Sequence, residues 1–233
     1  MLRTHLQSNG SEAGFHWRGA EVSRLEGFAD AVFAFAITLL VVSLEVPKTF
    51  PELFAVMRGF FAFGLCFAQL AYVWWEHYRF FRRYALQDTA AVVLNCALLF
   101  FVLFYVYPLK FIFSAIFDRP DMMPSEWRTL ITIWGLGYTA VFGVFTLLYV
   151  QAWRSRTLMA LTPVEVVRTG VGLQDHFGMA LIGLLSAALS RVLPDSAVAG
   201  AIYAYFLIPI YFTISHRVGA RRERRIAASQ PPG

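Results

Sequence analysis

Arg24, Glu26 and Asp30 stand at the head of a run that is otherwise apolar, and Thr38 is the only polar group between Asp30 and Ser43. Ionised side chains at the start of a membrane-spanning helix are costly unless paired, so they mark an ion path, a proton relay or a buried network. Ala31, Phe35, Thr38, Val42 and Glu45 follow one another three or four positions apart, which places them on one helical face with Leu39 at its edge. Such a stripe can face a pore. The helix is also apolar all round, and a mid-helix threonine often bonds back to the carbonyl four residues earlier, so spacing alone leaves both readings open.

A second polar group, His77, lies in the segment Trp74–Phe81, whose Trp74, Trp75 and Tyr78 suit an interfacial aromatic belt. Asn95 opens the next apolar run at the same expected depth. A lone buried asparagine commonly stabilises contacts between helices. Arg24, Asp30, His77 and Asn95 at one level predict a shared hydrogen-bonded network that pins the first helix to the second and third.

The elements that must position these groups follow from composition. With 58% apolar, 17% aromatic and only 15% charged residues in 233, the chain has too little polar surface to cover a soluble globule. Hydropathy predicts an all-α, polytopic membrane protein with six spans at 28–47, 53–82, 89–117, 127–154, 174–193 and 196–217. One transmembrane domain, 24–217, is expected between an N-terminal tail, 1–23, and a basic C-terminal tail, 218–233. The first twenty residues show no signal-peptide pattern, so the first span is expected to act as its own insertion signal. Thr162, Pro163 and Glu165 form a helix-start signature, read as a short amphipathic helix along the membrane surface.

Arg79, Arg82 and Arg83, then Arg154, Arg156 and Arg168, then Arg217, Arg221, Arg222, Arg224 and Arg225 all fall on one side, which predicts both termini in the cytoplasm and a multi-pass cell-membrane protein. The terminal basic run reads as a topology determinant touching anionic lipid, not as a nucleic-acid site. Cys66 and Cys96 sit in apolar runs and read as packed free thiols. The five histidines lack metal-ligand spacing, and no phosphate loop, nucleophile elbow or paired-carboxylate motif is present. No enzyme activity, metal or cofactor is expected.

Arg24, Phe28 and Asp30, the following AlaValPheAla and AlaIleThrLeuLeu, ValPro at 46–47, Trp74, His77 and Asn95 together resemble the endolysosomal potassium channel family known as transmembrane protein 175, in its bacterial single-repeat form. The resemblance implies a homotetrameric, potassium-permeable channel in the lipid bilayer, passing monovalent cations. Its pore would be lined by the first helix of each subunit, without a TVGYG filter, and no such motif occurs here. It places Phe35, Thr38, Leu39 and Val42 on the pore side. Four Thr38 hydroxyls would replace part of the hydration of a transient potassium ion, and rings of Phe35, Leu39 or Val42 would gate by dewetting. Glu45 would concentrate cations at the outer mouth. Arg24, Phe28, Asp30, His77 and Asn95 become the structural network.

Three positions depart from the family pattern. Ala29 replaces the motif serine, Phe35 replaces a branched aliphatic residue at the narrowest layer, and Ser43 stands where an acid is frequent. The alternative is a secondary or proton-coupled transporter in which Asp30, His77 and Arg24 relay protons. The chain shows no internal repeat and no glycine-broken helix pair of the transporter kind.

Overall fold

The structure, a computed structural model, describes residues 11–12, 15–19, 21–42, 47–118 and 121–229. After a two-stranded antiparallel hairpin, β1 (Ser11–Glu12) and β2 (Phe15–His16), the chain is helical: α1 (Arg24–Val42), α2 (Phe50–Arg58), α3 (Phe60–Tyr84), α4 (Thr89–Asp118), α5 (Pro124–Arg154) and α6 (Pro163–Val192). A 3-10 segment, Asp195–Phe206, leads into the last helix, α7 (Leu207–Ser229). Among the described residues, four stretches are long and apolar enough to cross a bilayer: Thr89–Ile116, Pro124–Arg154, Pro163–Val192 and Asp195–Ile226.

Two expectations about these elements change. The predicted span 53–82 divides at Gly59 into α2 and α3. The helix start at Thr162 is real, since its hydroxyl accepts from Glu165 N–H and Glu165 bonds back to Thr162 N–H. The helix that starts there is no short surface element, however: α6 runs on without a break to Val192, and Glu165 and Thr169 are buried in its first turns. Helical backbone also continues through the basic run after 217, as part of α7.

The core is one apolar cluster reaching from Phe15 through α1, α3, α4, α5 and α6. Helices α5 and α6 make the most extensive pair, and two glycines explain how. A Cβ on Gly135 would lie 2.7 Å from the Gly183 carbonyl oxygen, and one on Gly183 would lie 2.9 Å from that of Gly135. Small residues let the backbones meet where lipid supplies no hydrophobic drive between helices. Thr139 bridges the same contact, donating to the carbonyls of Gly135 and Ala180. Cys66 is buried, as its reading requires, whereas Cys96 is exposed on this subunit.

Candidate ion-conduction site

Helix α1 starts at a capping box that fixes its register. Ser23 Oγ accepts from Glu26 N–H at 3.2 Å, and the Glu26 carboxylate accepts from Ser23 N–H at 2.8 Å. A cap of this kind contributes about 1 kcal/mol. From there the helix presents two unlike faces. Ala29, Phe33, Ala36 and Leu40 are buried against the subunit, packing on α3 and α4. Phe28, Ala31, Ala34, Phe35 and Thr38 are exposed, Phe35 by 57%, with Leu39 half-buried at the edge.

Thr38 donates its hydroxyl hydrogen to the Ala34 carbonyl at 2.8 Å. That bond occupies the only donor and leaves the oxygen lone pairs to face outward. The hydroxyl therefore does both things that its sequence position allows: it bonds back and it presents an acceptor to the exposed side. The Val42 side chain and all of Glu45 lie outside the described residues. Beyond α1, Glu52 lies in the first turn of α2; the Lys48 N–H, with Thr49, holds its carboxyl below the usual range.

The expected four-membered network is divided in two. His77 Nε2 and Asn95 Oδ1 lie 2.7 Å apart, fully buried, and join α3 to α4. An amide oxygen only accepts, so His77 Nε2 carries the hydrogen in this pairing. Phe33 of α1 packs on the His77 ring at 5.7 Å. Asp30 is exposed and bonds to a different partner, accepting from Trp74 Nε1 at 2.8 Å, which joins α1 to α3. Arg24 and Phe28 are exposed and enter neither bond. No proton path through Asp30 and His77 is formed by direct hydrogen bonding between them.

Sequence reading missed three features. Trp74 suits an interfacial belt, and nothing in its type points to Asp30 as partner. The Ser23–Glu26 box was legible as Ser-x-x-Glu. The largest omission is the segment from Phe15 to Gly19, which falls in the expected N-terminal tail. Phe15 is buried beneath Tyr84, with ring centroids 5.5 Å apart, and Arg18 reaches the buried Glu165. An aromatic pair, Phe15 and Trp17, inside a polar tail was the available signal.

Helices that can span a bilayer, joined through glycines and buried polar pairs, with one helix face left open, define a multi-pass membrane protein. The sequence profile described as "Endosomal/lysosomal potassium channel TMEM175" matches residues 24–105. A protein of Marivirga tractuosa named "Potassium channel" is 35% identical over 93% of this chain and 95% of its own length. A Chamaesiphon minutus protein, also named a potassium channel, is 28% identical over 84% of this chain and 95% of its own. Among solved structures, the potassium channel MtTMEM175, as a T38A variant bound to a nanobody fusion, superposes with a TM-score of 0.75 at 34% identity. That match covers 95% of this chain and all of the other. A Chamaesiphon minutus homologue of the lysosomal potassium-selective channel TMEM175 shares the fold, with a TM-score of 0.59 at 24% identity, covering 82% of this chain and 96% of its own. The chain belongs to the TMEM175 family.

Proposed function

We propose that four copies of this chain form a potassium channel whose pore is lined by the outward face of α1. The observation that carries the reading is that face itself: Phe35 and Thr38 are exposed on a helix whose opposite side is buried. One subunit with one such stripe cannot enclose a path, so several copies must meet around it. Thr38 oxygens would coordinate a partly dehydrated cation, and Phe35 and Leu39 would form apolar constrictions. By their spacing in the sequence Val42 and Glu45 would fall on the same face if the helix continued, with Glu45 toward the outer mouth. Six spans and cytoplasmic termini are part of this proposal, supported by the placement of basic residues.

Reconstitution in a planar bilayer tests it. Unitary currents favouring potassium over sodium are expected, together with a tetrameric mass for the detergent-extracted particle. Substrate-dependent flux without unitary events would replace the channel by a transporter.

A further inference from the structure

Glu165 is fully buried, yet its carboxylate is met by donors on every side. Arg18 binds it with both terminal nitrogens, at 3.1 and 2.9 Å, while the backbone N–H groups of His16 and Thr162 add bonds of 2.9 and 2.8 Å. Bidentate guanidinium–carboxylate pairing fixes orientation as well as distance. Arg18 also donates through Nε to the Met159 carbonyl. The strap formed by residues 15–19 is thus fastened to the beginning of α6, across a sequence separation of 147.

The same strap is fastened to the end of α3. The N–H groups of Arg18 and Gly19 both donate to the Arg82 carbonyl at 3.1 Å, and Arg82 Nη1 returns a bond to the Gly19 carbonyl at 2.7 Å. Gly19 permits this approach, because a Cβ there would lie 3.2 Å from the Phe81 carbonyl oxygen. The Arg82 guanidinium also covers the Trp17 ring, 5.4 Å from its centroid. Only residues 19–23 connect Arg18 to the first residue of α1, a reach of at most about 20 Å even when extended. Ser23, the last of them, is the cap of α1.

Helix α1 is therefore held at its start in two ways: laterally by Trp74 on Asp30, and along the chain by a strap whose far end is locked on Glu165. A helix that lines an ion path is limited at that end to the movement that a four-residue link from Gly19 to Arg24 allows. We propose that Glu165 is a positioning residue for ion conduction: through Arg18 it holds the start of α1 and so sets how often the path is open. The inference rests on the pore reading of α1.

The test compares wild type with Glu165→Gln and with the double variant Arg18→Met/Glu165→Gln, which leaves no unpaired buried charge if the single change folds poorly. In assembled, reconstituted protein, open probability is expected to shift about fivefold, with unitary conductance and the potassium-to-sodium permeability ratio unchanged. Backbone hydrogen exchange over residues 21–31 should quicken, while α5 keeps its protection. Unchanged open probability, or a changed permeability ratio, would overturn the role in positioning. So would exchange equal to wild type. Wild-type protein without unitary currents would overturn the pore reading and the conduction role together, and quickened exchange in the variants would then show that the fault lies in the pore and not in the strap.

Discussion

The outward face of α1 and the knot around Glu165 solve opposite problems with similar residue types. On α1, the threonine and the aspartate are exposed, and each keeps a bond to its own subunit, Thr38 to Ala34 and Asp30 to Trp74. Around Glu165, a buried carboxylate is saturated by side-chain and backbone donors. A buried charge without partners is expensive, so the knot must be complete. An exposed hydroxyl carries no such demand, and in the proposed pore it would be free to serve a passing ion. The Glu165 carboxylate is surrounded by donors, whereas the Thr38 oxygen is left open on one side.

Substitutions can break this contrast, and the largest effect belongs to packing alone. Gly183→Leu would force a side chain against the Gly135 carbonyl and Thr139, where a Cβ already meets atoms at 2.9 and 2.7 Å. Loss of about 3 kcal/mol is expected, read as a collapse in the yield of folded protein. Asn95→Ala leaves the His77 N–H without its buried acceptor and should cost about 2 kcal/mol, measured as thermal stability in detergent, with the permeability ratio unchanged in whatever assembles. A changed ratio there would blur the line between support and path.

On the open face the order reverses, function moving while stability stays. Thr38→Val removes the outward oxygen without altering shape. It should leave thermal stability within about 0.5 kcal/mol and change the potassium-to-sodium ratio about fivefold, equivalent to ~1 kcal/mol. An unaltered ratio would take Thr38 out of the path. Phe35→Ala has the smallest expected effect, a rise in open probability of about twofold as the apolar layer widens. Identical currents would remove Phe35 from the constriction.

Much of the fold was legible because hydropathy and helix signals are local. The pattern of α4 and α5 reads directly as long apolar helices, and Thr162 as a cap, whereas the continuity of α6 from Pro163 through the span expected at 174–193 was not read. The break at Gly59 was not legible, since a glycine in an apolar run is compatible with continuous helix. The exposed stripe on α1 was visible as spacing, but an all-apolar helix has no preferred face until its neighbours are known. The partners of Asp30 and Glu165 were hidden for another reason. Both are set by contacts between residues far apart in sequence, Trp74 for one and Arg18 for the other. An equal expected depth in a membrane does not imply contact: Asp30 bonds to Trp74 and His77 to Asn95.

The back-bond of Thr38 has a consequence for timing. A free hydroxyl spreads over several rotamers and must settle into one before it can coordinate, losing conformational entropy as it does so. Here the rotor is already clamped on the Ala34 carbonyl. A cation sliding along α1 would find the oxygen dipole in place on arrival and would release it without waiting for a torsion to relax. Serine would keep the oxygen and lose part of the clamp, because only a β-branched side chain is held stiff at χ1.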